Sequence, residues 1–128
     1  MAKKIGKEIA RTSEDPYRKV GAVVLNKDGR VLSTGYNGLT QGKNVLKNFW
    51  LNRDKRRQYM IHAEVNALSC VTRYDNPYLI YVTLLPCSYC ANLIASYNIK
   101  EVYYTDHYDF DETAKNIFKF YNIKCEKI

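Results

Sequence analysis

The sequence predicts an α/β fold: a mixed β-sheet with helices packed on its faces, a three-layer α-β-α sandwich. Three observations predict it. Two β-rich runs flank an Asp28-Gly29 turn, a continuous apolar run covers residues 78–85, and helical and strand patterns alternate from residue 63 onward. The 128 residues, 46% hydrophobic and 26% charged, suit a single domain spanning 1–128.

The elements follow in order. Residues 2–13 read as a helix because Ala2, Ile5, Ile9 and Ala10 return at helical spacing, and Asp15-Pro16 stops it. Residues 20–25 and 30–34 form a hairpin around 26–29. Residues 36–61 are polar, basic and weakly periodic, and read as a long loop with a helical turn near 45–52. A helix over 63–73 precedes the apolar run 78–85, which has the character of a buried central strand. Pro86 opens a helix reaching Tyr97, followed by a strand at 101–105, a helix at 112–121 and a last strand at 123–127.

Twenty Lys and Arg against thirteen Asp and Glu leave a formal charge of +7. That excess suits an anionic partner, a nucleotide, a phosphate or nucleic acid, and reads equally as a solvated lysine surface. It concentrates in 3–18 and 53–57 and not along one helix as in a basic-region DNA binder, and no basic aromatic stripe is present to suggest a nucleic-acid partner. No apolar run approaches the ~18–20 residues of a membrane span, and no apolar core follows the basic start. The expectation is a soluble intracellular protein without membrane contact.

Four cysteines, at 70, 87, 90 and 125, are too few for a secreted disulfide scaffold. Cys70 and Cys125 sit in apolar settings and read as core residues. Cys87-x-x-Cys90 opens a helix whose dipole favours thiolates, and His62-Ala63-Glu64 opens another. His62, Cys87 and Cys90 together would make a Cys₂His zinc site with one open position, the catalytic arrangement. Glu64 is surplus as a ligand and suited to proton transfer. A redox Cys-x-x-Cys would leave His62 and Glu64 without a role, and His107 is not counted as a ligand. His-x-Glu with Pro-Cys-x-x-Cys is the signature of zinc nucleobase deaminases.

These motifs, with Ser13-Glu14-Asp15-Pro16, Val20-Gly21-Ala22-Val23-Val24, Gly35-Tyr36-Asn37-Gly38, Asn66, Ile99-Lys100-Glu101-Val102-Tyr103-Tyr104, and Asp106-His107-Tyr108 with Asp111-Glu112, resemble the cytidine deaminase superfamily, and within it the deoxycytidylate branch. The resemblance implies a five-stranded sheet, one catalytic Zn²⁺ per chain, and hydrolysis of dCMP to dUMP, which feeds thymidylate synthesis. Zinc would activate the water that attacks C4, and Glu64 would relay protons to N3 and the amine. Asn37 is implied as a nucleotide contact, though Asn-Gly is also turn chemistry. Ser13 and Tyr108 are implied near the phosphate. Glu14 departs from the basic residue often found there, and Arg18 and Lys19 read either as its compensation or as surface charges.

Regulation by dCTP and dTTP, with Mg²⁺ on the regulatory nucleotide, is implied through Tyr36, Gly38 and Arg53. Residues 39–61 hold no Cys or His, so a second zinc is not expected there. A homo-oligomer, in many relatives a hexamer, is implied, with Phe49, Trp50 and Leu51 as interface residues. The Lys, Asn, Tyr and Ile content resembles that of viral proteins from AT-rich genomes. The implied location is the cytoplasm, the host's for a viral chain. The competing readings are another superfamily deaminase (dCTP, free cytidine or deoxycytidine, guanine or a tRNA base) and a zinc-stabilised nucleotide-binding module without turnover.

Overall fold

The computed structural model describes residues 1–108 and 112–128. Asp111 of the acidic pair noted above lies outside the described residues. Strands β1 (Gly21–Asn26) and β2 (Val31–Tyr36) form the hairpin. Its turn closes as the sequence anticipates, with Gly29 at φ +85° and the Asn26 side chain accepting from the Asp28 and Arg30 amides. Strands β3 (Pro77–Leu84), β4 (Glu101–Asp106) and β5 (Lys124–Lys127) complete one sheet in the order β2-β1-β3-β4-β5. β1 runs antiparallel to both neighbours, whereas β3, β4 and β5 are parallel, so the sheet is mixed.

Helix α1 (Ala2–Arg11) covers one face, where Val23 and Tyr81 are fully buried. The other face carries α3 (Ala63–Leu68), α4 (Ser88–Ser96) and α5 (Thr113–Phe120). Under them lies the main core, in which Ala22, Val24, Ile80, Val82 and Val102 of the sheet meet Leu68, Ile94 and Phe118. Among the described residues no helix is long and apolar enough to cross a membrane.

Two glycines set how closely the layers approach. A Cβ on Gly21 would stand 2.8 Å from the Ala10 amide nitrogen of α1, and one on Gly35 would stand 2.6 Å from the Ala63 carbonyl of α3. Both helices therefore lie on bare backbone.

The structure differs from the sequence reading at several points. Residues 53–59 are a helix, α2 (Arg53–Tyr59), preceded by a 3-10 turn at Lys47–Leu51. No residue of α2 is buried, so no apolar period announces it. Its start is instead fixed by Asn52, whose side chain accepts from the Lys55 amide at 3.1 Å. Helix α3 stops at Leu68, not 73, and α1 stops at Arg11, not 13. Pro86 lies ahead of α4 and not in its first turn, since Cys87 is the N-cap. Cys70, expected in the core, is exposed just past the end of α3, and Cys125 is half-buried against the core.

The Gly35 contact yields a direct prediction. Gly35→Ala should destabilise the protein by at least ~2 kcal/mol in urea unfolding, because backbone and not a flexible side chain must give way. It should also lower metal occupancy, since α3 carries His62 at its start.

Candidate active site

His62 is the N-cap residue of α3 and Cys87 that of α4, so the site is built from two helix starts. The residue before His62 is clamped: Ile61 and Gly38 exchange backbone hydrogen bonds of 2.8 and 3.0 Å. The approach to Cys87 is held by buried Leu85, whose amide donates to the Asp106 carbonyl at 2.8 Å. Cys90 lies one helical turn beyond Cys87 and is fully buried.

The three side chains converge. His62 Nδ1 lies 3.3 Å from Cys90 Sγ and 3.6 Å from Cys87 Sγ, and all three donor atoms lie within 4.8 Å of one another. Tetrahedral zinc with ordinary Zn–N and Zn–S bonds sets nitrogen and sulfur about 3.6 Å apart. The donor set and its spacing therefore fit Zn²⁺, with three protein ligands and room for one more.

The electrostatics agree. A hydrogen bond from Cys90, helped by one from His62, holds the Cys87 thiol down to about 4 against the effect of burial. The neighbouring Cys87 thiolate pushes Cys90 up, and hydrogen bonding to Cys87 raises His62. Glu64, in the first turn of α3 and 4% exposed, is lifted by burial to about 7.

A cavity of about 660 Å³ opens above this cluster, a size suited to a small organic ligand. His62, Glu64 and Cys87 line it with Ala63, Leu84, Leu85 and Pro86. Asn37, Tyr108 and Arg53 line it too, whereas Ser13, Tyr36 and Gly38 do not. Ser13 is buried, its hydroxyl donating to the Asn37 carbonyl at 2.7 Å and accepting from the Asp15 amide. The Asn37 amide is engaged with backbone at 2.8 Å on both sides, accepting from Val20 N–H and donating to the Arg18 carbonyl. Asn66 donates to the Tyr36 carbonyl. Ser13, Asn37 and Asn66 thus tie the α1–β1 loop, the end of β2 and α3 together around the cavity. Gly38 acts through its bridge to Ile61, and Tyr36 is exposed.

Sequence reasoning missed Asp15, Tyr17, Arg56, Arg57 and Met60 in the cavity wall. The basic run 53–57 was the available signal. Read as loop it has no face, but as helix it sets residues 53, 56 and 57 on one side.

His-x-Glu and Pro-Cys-x-x-Cys folded into one metal-competent cluster mark the zinc nucleobase deaminase class. The chain belongs to the cytidine and deoxycytidylate deaminase family, whose zinc-binding region matches residues 1–106. It is 35% identical over 112 residues to a probable deoxycytidylate deaminase of Caenorhabditis elegans, covering 83% of this chain and 56% of that protein. It is 33% identical over 136 residues to the deoxycytidylate deaminase of Pongo abelii, covering 93% of this chain and 76% of that protein. The solved dCMP deaminase of cyanophage S-TIM5, in complex with dCMP and dUMP, superposes with a TM-score of 0.78 at 26% identity. That match covers 98% of this chain and 92% of the phage enzyme.

Two measurements check the site. Cys87→Ser should lower bound zinc from one equivalent per chain and lower stability with it, because metal binding and folding are linked; elemental analysis and thermal unfolding read both. The second concerns pH in the metal-free protein. Folding raises Glu64 from 4.5 to about 7, so its protonated form is favoured. The contribution of Glu64 is fully present below pH 4.5 and is lost as pH rises from there through about 7, by about 3 kcal/mol. The difference in urea stability between wild type and Glu64→Gln across pH 4–9 should trace that loss.

Proposed function

We propose that this protein catalyses hydrolytic deamination of dCMP to dUMP and ammonia, with His62, Cys87 and Cys90 as zinc ligands and Glu64 as the proton carrier. The observation that carries the reading is a buried carboxylate beside a His/Cys/Cys cluster, at the floor of a cavity with arginines in its wall. Membership of the family and the similarity to dCMP deaminases support it.

Bound zinc supplies a Lewis acid that brings a water toward deprotonation near neutral pH. Glu64, buried in the first turn of α3 beside the ligand set, is positioned to take a proton from that water and return it. As the water oxygen adds to C4 of cytosine, its proton passes to Glu64 and from there to ring N3. The second water proton follows the same carboxylate to the exocyclic nitrogen. The C4–N bond then breaks, ammonia leaves and N3–H remains on uracil. Leu84, Leu85 and Pro86 give the base an apolar wall that limits bulk water.

Asn37 and Tyr108 stay in the proposal as substrate contacts. Ser13 acts through Asn37 and not on the nucleotide directly. For regulation, the proposal is a dCTP or dTTP effector, Mg²⁺ on its phosphates, acting through Arg53 with Tyr36 and Gly38. Homo-oligomerisation through Phe49, Trp50 and exposed Leu51, to a hexamer, and a cytoplasmic location complete it.

Ammonia release from dCMP, dCTP, deoxycytidine, guanine and a tRNA anticodon stem-loop tests the substrate. dCMP should lead, and an inert dCMP beside an active alternative overturns the reading. Glu64→Ala should keep zinc and fold yet lose kcat by about two to four orders of magnitude. Normal turnover in that variant would remove Glu64 from the mechanism.

A further inference from the structure

Helix α2 forms part of the cavity wall, yet nothing in its own packing keeps it there. Every residue of α2 is exposed except Arg56, which is half-buried. A helix of seven residues without a buried apolar stripe is not held by hydrophobic contact, and one so short is marginal by itself. The ring contact of Tyr59 with Phe49, 6.4 Å between centroids, stays within residues 47–59 and ties α2 only to the turn before it. Past α2 the chain is fixed at the Gly38–Ile61 bridge.

Arg56 makes the remaining attachment. Its guanidinium stands 3.7 Å from the Asp15 carboxylate and 4.3 Å over the Tyr17 ring. The two side chains of the pair are only 16% and 7% exposed, so solvent and salt screen their attraction weakly. Because Nε is shut off from water without a partner, the buried head group depends on Asp15 for compensation. Asp15 is fixed in turn, since its Oδ1 accepts from the Tyr17 and Arg18 amides at 2.8 and 3.3 Å. Among the described residues no other α2 side chain joins the body through an ion pair or ring contact.

We propose that Asp15 is a positioning residue for the reaction: paired with Arg56, it docks α2 on the α1–β1 loop and so sets the wall that α2 presents to the substrate. This rests on the reading of the cavity as a cytosine nucleotide site. Asp15 acts through Arg56 and not on the reacting atoms. The consequence is directional. His62, Cys87, Cys90 and Glu64 belong to α3 and α4, which pack on the sheet by their own buried residues. Loss of the pair therefore weakens substrate binding more than it slows the chemical step.

Asp15→Asn isolates the charge, because the amide oxygen can still accept from Tyr17 and Arg18 and keep the loop. Zinc-loaded wild type, Asp15→Asn, Arg56→Gln, the double variant and Arg56→Lys are compared by kinetics with dCMP, calorimetric binding of dUMP, and hydrogen exchange of residues 53–59 and 63–68. Asp15→Asn and Arg56→Gln should each raise KM for dCMP and Kd for dUMP by ~10-fold, lower kcat by less than ~3-fold, and speed exchange in 53–59 alone. The double variant should be no worse than the worse single variant, because the pair is one interaction. Arg56→Lys, which keeps the charge but not the planar face over Tyr17, should fall between wild type and Arg56→Gln. Effects that multiply in the double variant, or unchanged exchange in 53–59 of Asp15→Asn, overturn the proposal. Faster exchange in 63–68 as well, the mark of a general loss of fold, also overturns it. A wild type that releases no ammonia from dCMP, while dUMP binding and exchange respond as stated, overturns the deamination reading and upholds the role of Asp15.

Discussion

The start of α3 has to meet the start of α4 within the reach of one metal ion, and the rest of the structure serves that meeting. His62 and Cys87 are N-cap residues of helices that enter from separate parts of the chain, 25 residues apart. A displacement of α3 by little more than an ångström would carry Nδ1 out of bonding range. Gly35 lets α3 rest on β2 without an intervening side chain, and the Gly38–Ile61 bridge fixes the backbone one residue before the histidine. Pro86 and buried Leu85 fix the other side.

The same constraint explains the chemistry of Glu64. One residue beyond buried Ala63, its carboxyl is enclosed beside sulfur and imidazole instead of water. Desolvation raises its pKa above that of an ordinary carboxyl. Apolar Leu84, Leu85 and Pro86 share the lining of the cavity above with exposed Arg18, Arg53 and Arg57.

Polar motif residues also build the rim of the cavity. Ser13 and Asn37 look in sequence like ligand-contacting groups, because short polar side chains in loops often are, and Asn66 stands beside them as a motif residue. In the fold their hydrogen bonds go to the backbone of Asn37, Val20, Arg18 and Tyr36, and they join three segments at the cavity rim. Asp15 does the same for Tyr17 and Arg18, and its pairing with Arg56 ties α2 to the α1–β1 loop.

The hairpin, the central apolar strand and the alternation of helices and strands were legible in the residues, since each rests on local periodicity or turn chemistry. Metal chemistry was equally legible, because His62, Cys87 and Cys90 are scarce residue types with few other uses in such spacing. Helix α2 was not, because its residues are polar on every side and its start depends on one Asn52 cap, so no hydrophobic signal separates it from loop. Exposed Cys70 was misread because its apolar neighbours face the core while it lies past the end of α3. Local sequence thus determined which elements form and which atoms can hold a metal. Only tertiary structure decided which cations share a wall with them, because that depends on distances between segments that no local pattern encodes.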